Sequence, residues 1–238
     1  MKFKIHIIVL LILGCSAFAK AQLSTFTTAT NELLNEHFTN GKVDYATIKR
    51  NPQQLKRALT ALKKISLEKL NVIEREALHI NAYNLFVIQG VVDAYPIKSV
   101  KDIPNFFDAK KYNLGNKKVS LNQLEKEILF SETWDERLHF VLVCGAVGCP
   151  PLKKKAFTAD NTELMLRNMT KIAINDPQIV SIDMHEKKAL VSKIFDWYNA
   201  DFTRTETLKE YINQYRDQKI PDGFTIEFLE YDWSLNGK

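Results

Sequence analysis

The longest helical pattern of this chain is NVIEREALHINAYNLFVIQGVVDAYP, which covers residues 71–96. Asn71 is a favourable N-cap, and Glu74 stands three residues later, as a reciprocal capping box requires. The residue before a proline is disfavoured in a helix, so Tyr95-Pro96 supplies the stop. The stretch therefore predicts the longest helix of the chain, from about residue 72 to residue 94.

Shorter elements are predicted on both sides of this helix. Apolar residues at helical spacing and the Ser120–Gln123 capping pair predict helices over 31–38, 54–65, 120–130, 161–175, 193–198 and 206–216. Strand patterns predict a hairpin over 111–119 that turns at Gly115-Asn116, a buried strand over 139–143, a second hairpin with strands 179–182 and 189–192, and a strand over 224–228.

Regular alternation of strands and helices is absent from this order of elements, so the fold class is α+β. We expect a single domain whose helices pack around a small, mostly antiparallel sheet, and a papain- or transglutaminase-like arrangement is compatible with that class. No internal repeat or low-complexity linker divides the chain.

The composition excludes several classes of protein. The chain has 238 residues, of which 45% are hydrophobic and 11% aromatic, with 33 Lys and Arg against 28 Asp and Glu. Such a mixture excludes a disordered tail, a collagen and a disulfide-dense mini-protein. It supplies enough apolar material for one sizeable core.

The N-terminus has the three parts of a secretory signal peptide. Residues 1–4 carry two lysines, and residues 5–13 are almost entirely apolar. The small residues that follow offer the Ala-x-Ala pattern at Ala17-Phe18-Ala19 or at Ala19-Lys20-Ala21. The apolar run is too short to span a bilayer, which takes about 20 residues. We therefore expect a signal peptide over 1–21, a mature domain over 22–238 and a periplasmic or extracellular location.

Cleavage of the signal peptide would change what the net charge indicates about binding partners. Removal of residues 1–21 takes away three lysines and lowers the formal net charge from +5 to +2, which does not argue for a nucleic-acid partner. No later segment approaches the length of a transmembrane helix. Cys15 follows Leu13-Gly14 and offers a less favoured route, in which it becomes the acylated N-terminus of a lipoprotein.

One glycine-bearing loop holds both cysteines that would remain after processing. The segment HFVLVCGAVGCPP, residues 139–151, places Cys144 at the end of an apolar run. Glycines let backbone N–H groups approach a substrate, and a histidine lowers the pKa of a nearby thiol, so Cys144 is a plausible nucleophile. However, His139 and Cys144 are five residues apart and would face opposite sides of a regular strand.

Two other interpretations of this loop stay open. Cys144 and Cys149 could form a disulfide, as cysteines of exported proteins often do. His139, Cys144 and Cys149 could also share a metal ion, but the Cys-x4-Cys spacing is not the usual pair spacing and a fourth ligand is not apparent. We predict no metal and no cofactor.

Two amides lie on one face of the long helix. Asn81 and Asn84 are three residues apart, beside apolar residues such as Ile88. Buried amides need hydrogen-bond partners. They would either hold the backbone of a neighbouring loop, which is the more common use, or line a pocket, where Asn81 would orient a histidine and Asn84 would bind substrate.

A third cluster is SKIFDWYNADF, residues 192–202, which combines a lysine, two acids and several aromatic residues. Aromatic packing with an ion pair is the simpler explanation. In the sharper one, the cluster forms a substrate platform made of Lys193, Trp197, Tyr198 and Asp201.

Together these motifs resemble the bacterial branch of the domain-of-unknown-function 547 family. The matching segments, in order, are residues 43–45, 81–84, 120–125, 137–139, 144–151, 193–202 and 231–236. The resemblance implies an uncharacterised family in whose plant members the positions of Cys144 and His139 are usually cysteine and histidine. It also implies that the position of Cys149 varies, which favours a role for Cys144 itself. Lys126 stands where many members have histidine.

In the first of two hypotheses the chain is a cysteine-dependent hydrolase or acyl-transferase that acts on a peptide or cell-envelope substrate. Cys144 would be the nucleophile and His139 the base. Asn81 or Glu125 would orient the base, and Gly145 would contribute to an oxyanion site.

In the second hypothesis the chain is a non-catalytic exported module. It would bind a small molecule, peptide or partner in a groove lined by Trp197 and Tyr198, with Cys144 and Cys149 in a structural role. A hydrogen bond between His139 and Cys144 would favour the enzyme, whereas bonded sulfurs would count against it.

Overall fold

The computed structural model describes residues 2–238, with side chains from residue 18 onward. The first helix, α1 (Lys2–His37), runs through the predicted signal peptide. The side chains of residues 1–17, including Cys15, lie outside the described residues, so signal-peptide cleavage and acylation stay predictions. Among the residues described, no helix has the length and apolar character needed to cross a membrane.

About half of the chain is helical, as an α+β class with small sheets requires. The further α-helices are α2 (Tyr45–Arg50), α3 (Gln53–Lys63), α4 (Val72–Ala94), α5 (Phe130–Glu132), α6 (Thr162–Asn175), α7 (Ile194–Trp197), α8 (Asn199–Phe202) and α9 (Leu208–Tyr215). Short 3-10 helices cover Leu67–Lys69, Val100–Asp102 and Glu136–Phe140, and a π-helix covers Gln123–Leu129.

Helix α4 lies at the centre of the core and has the predicted bounds, but it is not the longest helix as predicted, because α4 has 23 residues and α1 has 36. The Asn71 side chain accepts from the Glu74 N–H at 2.9 Å, and the Glu74 carboxylate accepts from the Asn71 N–H at 2.9 Å, which completes the capping box. Every residue from 77 to 88 is buried, so the helix is covered on all sides. A helix buried all round needs no polar face, and residues 77–88 are accordingly apolar or aromatic apart from His79, Asn81 and Asn84.

The strands form three small sheets, whereas the sequence led us to expect one. They are β1 (Phe38–Thr39), β2 (Lys42–Val43), β3 (Tyr112–Leu114), β4 (Lys117–Val119), β5 (Val180–Asp183), β6 (Lys188–Val191) and β7 (Thr225–Phe228). The pairs β1–β2 and β3–β4 are antiparallel hairpins. In the third sheet β6 pairs antiparallel with β5 and parallel with β7.

The buried strand predicted over 139–143 is wrong. His139 lies in the 3-10 helix Glu136–Phe140, and the chain then turns toward the cysteines. The Asn84 side chain donates to Val141 O and accepts from Val143 N, both at 2.9 Å. Because an amide side chain satisfies these backbone groups, the segment can be buried without a partner strand.

Two hydrophobic clusters share the interior. One surrounds α4, and the other lies between the β5–β6–β7 sheet, α6 and α9. Phe140 follows directly after His139 and packs on Phe195 and Phe202, with ring centroids 5.8 and 5.7 Å apart. The 3-10 helix Glu136–Phe140 therefore joins the two clusters, and it brings His139 to their boundary.

The last residues of the chain run back across the cysteine loop. Val147 N donates to Ser234 O at 2.8 Å, Gly148 N to Asp232 O at 2.9 Å, and Asn236 N to Gly145 O at 3.0 Å. We call residues 231–236 the C-terminal strap. These backbone bonds fix the strap beside the loop and bring its aromatic side chains to the surface where the two clusters meet.

Candidate functional site

A cavity of about 290 Å³ opens at the boundary between the two clusters. Aromatic rings form most of its wall, and a few polar groups and both cysteines complete it. The lining residues are Tyr83, Phe107, Asn122, Glu125, Lys126, His139, Leu142, Cys144, Cys149, Pro150, Ile194, Trp197, Tyr198, Tyr231 and Trp233. We call this the aromatic cavity. Six of the eleven residues that the sequence singled out line it, namely Cys144, Cys149, His139, Glu125, Trp197 and Tyr198.

A larger depression of about 580 Å³ lies elsewhere, along α6 and the lysines at 153–155. It is open to solvent, and its one acidic group, Asp217, is paired with Lys171 at 2.8 Å. None of the residues singled out from the sequence lines it. The aromatic cavity is therefore the better candidate site, although it is smaller, because buried polar groups converge on it.

Cys144 and Cys149 are joined by a disulfide in the wall of the aromatic cavity. The Cys144 N–H donates to Cys149 Sγ at 3.0 Å. The Tyr231 hydroxyl of the C-terminal strap lies 3.2 Å from Cys144 Sγ and 3.0 Å from Cys149 Sγ. Neither sulfur is a free thiol in this state, which counts against Cys144 as a ready nucleophile.

His139 is held tightly in the same wall. Its ring stacks on Tyr198 with centroids 3.8 Å apart and on Phe130 at 4.8 Å. Nε2 lies 2.9 Å from Asp201 Oδ2. A carboxylate can only accept, so Nε2 donates its proton to Asp201, and Nδ1 is left as an acceptor with no hydrogen-bond partner among the described residues.

The environment keeps His139 neutral. Burial lowers the pKa of its imidazole to about 4, although Asp201 acts in the opposite direction. Asp201, which the sequence suggested as a substrate-binding residue, is therefore the orienting group of His139. Its side chain comes from α8, 62 residues further along the chain.

Glu125 lies in the π-helix Gln123–Leu129 and is only 6% exposed. The Tyr198 hydroxyl donates to its Oε1 at 3.3 Å. Burial raises the pKa of this carboxyl, while hydrogen bonds from Tyr83 and Tyr198 and the charge of Lys126 oppose the shift. The sequence proposed Glu125 as an orienting group for the base, but Asp201 occupies that position.

Asn81 and Asn84 do not line the aromatic cavity, which corrects their proposed catalytic and substrate-binding roles. Asn81 donates to Phe157 O at 2.8 Å and accepts from Phe157 N at 2.9 Å. Asn84 holds Val141 and Val143 in the same two-bond manner. Each amide donates one hydrogen bond to, and accepts one from, the backbone of a neighbouring segment, so both amides fix those segments.

Gly145 and Lys193 also lie outside the aromatic cavity. Gly145 has φ +87°, and a Cβ there would lie 3.0 Å from a Val100 methyl and 3.3 Å from a Val87 methyl. The glycine is therefore required by the turn and by core packing, and its place in an oxyanion site has no support. Lys193 pairs with Asp196 at 2.8 Å, as in the simpler explanation of this cluster.

Two of the four platform residues, Trp197 and Tyr198, line the aromatic cavity, whereas Lys193 and Asp201 do not. Tyr231 and Trp233 of the C-terminal strap line it as well. Ring centroids lie 4.8 Å apart for Trp197 and Tyr231, 4.7 Å for Tyr231 and Trp233, and 5.7 Å for Trp197 and Trp233. These three rings form a continuous aromatic surface.

Sequence reasoning missed several members of the wall, namely Tyr83, Phe107, Lys126, Tyr231 and Trp233. The only signal for the strap was its place among the segments that carry the family resemblance. The shared metal site was left open for His139, Cys144 and Cys149. In the described part of the chain no three His, Cys, Asp or Glu side chains are grouped to hold an ion.

Comparison with known proteins gives one match. The model of a family described as "Protein of unknown function, DUF547" matches residues 67–172. Four of the seven segments that carry the resemblance lie in that range, whereas residues 43–45, 193–202 and the strap lie outside it. No curated protein and no solved structure is similar enough to the chain to count as a match.

Proposed function

We propose that this chain, which belongs through residues 67–172 to the DUF547 family of unknown function, binds a ligand in the aromatic cavity. The ligand would be a small molecule or a side chain of a peptide. The observation that carries the proposal is the wall itself. Three adjoining aromatic rings and a buried carboxylate converge on a concave space of about 290 Å³. Apolar cavities with a few convergent polar groups are typical ligand sites.

The exposure of Trp197 supports this proposal. Its side chain is 46% exposed although it packs on Tyr231 and Trp233. A ligand stacked on this ring would remove apolar surface from water, which stabilises a complex by about 25 cal/mol per Å². Large rings of this kind dominate the energetics of binding sites.

A fragment screen by ligand-observed NMR on the full chain tests the proposal. It would use a mixture of neutral, anionic and cationic fragments, with the Trp197→Ala variant beside the wild type. We expect fragments to bind competitively at one site and to lose affinity about tenfold in Trp197→Ala, since truncation of an aromatic anchor costs 1–2 kcal/mol or more.

Trp134→Ala is the matched control. Trp134 is 42% exposed, stacks under Arg204 at 4.0 Å and does not line the aromatic cavity. Fragments that bind Trp197→Ala as well as they bind Trp134→Ala would contradict the proposal.

The cysteine-dependent hydrolase or acyl-transferase is a second candidate, and the His139–Asp201 pair favours it. A histidine whose Nε2 is fixed by a carboxylate, and whose Nδ1 has no partner, is arranged as a general base. It lines the same cavity as Cys144. However, a pKa near 4 makes His139 a weak base at neutral pH, and Cys144 is disulfide-bonded. We rank this candidate second for those two reasons.

This reaction would require prior reduction. A dithiol would give two electrons and two protons to Cys144–Cys149 and would itself become a disulfide. Cys144 Sγ would then pass its proton to His139 and bond to a substrate carbonyl carbon. The amine or alcohol would leave with that proton, and water or another acceptor would break the thioester.

Iodoacetamide alkylation of two variants tests the second candidate. Cys149→Ser leaves Cys144 without its partner, and Cys144→Ser leaves Cys149 as the matched control. An activated Cys144 would react at pH 6 about tenfold faster than the thiol of Cys149, because the thiolate is the reactive form. Equal rates at pH 6 would eliminate Cys144 as a nucleophile.

A further inference from the structure

Glu125 is a buried acid with no cation in contact. It is 6% exposed, and it forms no ion pair within the part of the chain that the structure describes. Its polar neighbours are the phenols of Tyr83 and Tyr198. A buried carboxylate without a counter-ion is costly, and buried charges in proteins are normally paired.

Aromatic rings share the cavity with this acid. The adjoining rings of Trp197, Tyr231 and Trp233 line the same cavity as Glu125. The negative faces of such rings attract cations, tryptophan most strongly, and the attraction is stronger for a desolvated cation than for an exposed one. The acid and the rings therefore favour the same kind of ligand charge.

We infer that the ligand of the aromatic cavity is an organic cation, either a protonated amine or a quaternary ammonium group. This inference rests on the proposed function, since it names the class of ligand that the cavity binds. The ionised Glu125 would be its counter-ion, and the aromatic rings would contact its remaining surface. A volume of about 290 Å³ limits the ligand to a small molecule or to one side chain of a peptide.

Lys126 is the one cationic side chain of the aromatic cavity and is exposed to solvent. It would repel a cationic ligand weakly, because solvent screens an exposed charge. The charges of Glu125 and Lys126, which are neighbours on the π-helix, should therefore have opposite effects on the affinity for a cation. Loss of charge at Glu125 should weaken the binding of a cation, and loss of charge at Lys126 should strengthen it slightly.

The inferred complex also has a pH dependence. Burial raises the pKa of Glu125, so a cation must bind either to the ionised form or with release of a proton. Affinity should therefore rise with pH until Glu125 is ionised in the free protein. The other titratable groups that face it do not compensate: Tyr83 and Tyr198 have raised pKa values and stay neutral, and His139 is neutral above about pH 4.

Two probes of nearly equal shape test the charge alone. Choline carries a quaternary ammonium group, and 3,3-dimethylbutan-1-ol has a carbon atom in place of the nitrogen. Binding to the full chain would be followed by tryptophan fluorescence and by NMR. We expect choline to bind about tenfold more tightly than the alcohol at pH 7.5, as one cation–aromatic contact with a counter-ion predicts.

The variants identify where the charge acts. Glu125→Gln should reduce the affinity for choline to that of the alcohol and abolish its pH dependence, with the alcohol unaffected. Lys126→Gln should raise the affinity for choline about twofold, because an exposed like charge contributes only a few tenths of a kcal/mol. Trp134→Ala should leave both probes unchanged.

Several results would overturn the inference. Equal affinities for the two probes, choline binding that survives Glu125→Gln, or binding of neither probe would each reject a cationic ligand. The fragment screen separates that failure from failure of the proposed function. If neutral or anionic fragments still bind in a Trp197-dependent way, the aromatic cavity is a ligand site for another class of molecule.

Discussion

Two regions of this molecule hold buried polar side chains, and they use them differently. In the first, the helix core (His79, Asn81 and Asn84 of α4), polar atoms bind backbone or have no partner. In the second, the cavity wall (Glu125 and His139), each polar side chain binds another side chain, that of Tyr198 or of Asp201. The comparison of the two histidines is the most informative, because burial lowers the pKa of each to about 4.

The surroundings of His79 and His139 differ although their pKa values are similar. His79 is 1% exposed, and neither of its ring nitrogens has a hydrogen-bond partner in the described structure. His139 has a carboxylate on one nitrogen and lines a cavity. A perturbed pKa by itself therefore does not identify a functional histidine in this chain; partners and access to a cavity do.

Among the variants considered, Asn84→Leu should change the free energy of unfolding the most. This change leaves Val141 O and Val143 N buried without a partner, and each orphaned group costs about 1–3 kcal/mol. We expect the free energy of unfolding, measured in urea, to fall by about 3–4 kcal/mol. The control is Asn122→Leu, since Asn122 binds the exposed Asp108 side chain and should change by less than about 0.5 kcal/mol. Similar losses in the two variants would remove the distinction between helix core and cavity wall.

His79→Leu should stabilise the protein by about 2 kcal/mol at pH 7, because it removes two buried ring nitrogens without partners. The gain should grow below pH 6.5. The folded pKa of about 4 is below the unfolded value, so the unfolded state binds more protons between those pH values, and the wild type loses stability as the pH falls. Urea unfolding from pH 4 to 7 measures both effects. A loss of stability at pH 7 would show that His79 has a partner.

At pH 7 His139→Leu should lower the free energy of unfolding, whereas His79→Leu should raise it. It removes the bond to Asp201 and the stacking on Tyr198, with an expected loss of about 1 kcal/mol. The loss is small because Asp201 is 30% exposed and can bind water. The pKa of His139 in the folded protein is about 4, below its unfolded value, so the wild type loses stability as the pH falls, as it does through His79. The difference in stability between His139→Leu and the wild type should therefore shrink on acidification. A loss that grows as the pH falls from 6.5 to 4 would contradict the assigned direction of the pKa shift.

Glu125→Gln should change the free energy of unfolding of the ligand-free protein the least. Burial raises the folded pKa of Glu125 above its unfolded value, so the folded state binds more protons, and the wild type loses stability as the pH rises through that range. This slope is opposite to that of both histidines. At pH 7 the variant should equal the wild type or exceed it by up to about 1 kcal/mol. A large loss would mean that the ionised acid stabilises the fold rather than a ligand.

The sequence predicted the local parts of the fold well. The reciprocal cap of Asn71 and Glu74 fixed the start of α4, and the turn at Gly115-Asn116 is the turn between β3 and β4. The hairpin of β1 and β2 was missed, although Asn40-Gly41 is a strong turn signal and both residues have positive φ. These features depend on contacts between residues a few positions apart, which a sequence displays directly.

The candidate site was predicted only in part. Cys144, His139, Glu125, Trp197 and Tyr198 do line one cavity. Their partners were not predictable, because each lies far away along the chain. Asp201 is 62 residues from His139, and Tyr231 is 82 residues from Cys149. The wrong strand over 139–143 has the same cause, since its backbone partner is a side chain of α4.

The sequence by itself determined the α+β class, the central helix with its caps and the cysteine loop as a place of interest. Capping and turn formation are short-range, so their signals survive without knowledge of the fold. Only the tertiary structure decided that the cysteines are bonded, that Asp201 holds His139, and that Glu125 shares a cavity with aromatic rings and forms no ion pair among the described residues. Those pairings arise where two hydrophobic clusters and the C-terminal strap meet, and packing alone brings such distant residues into contact.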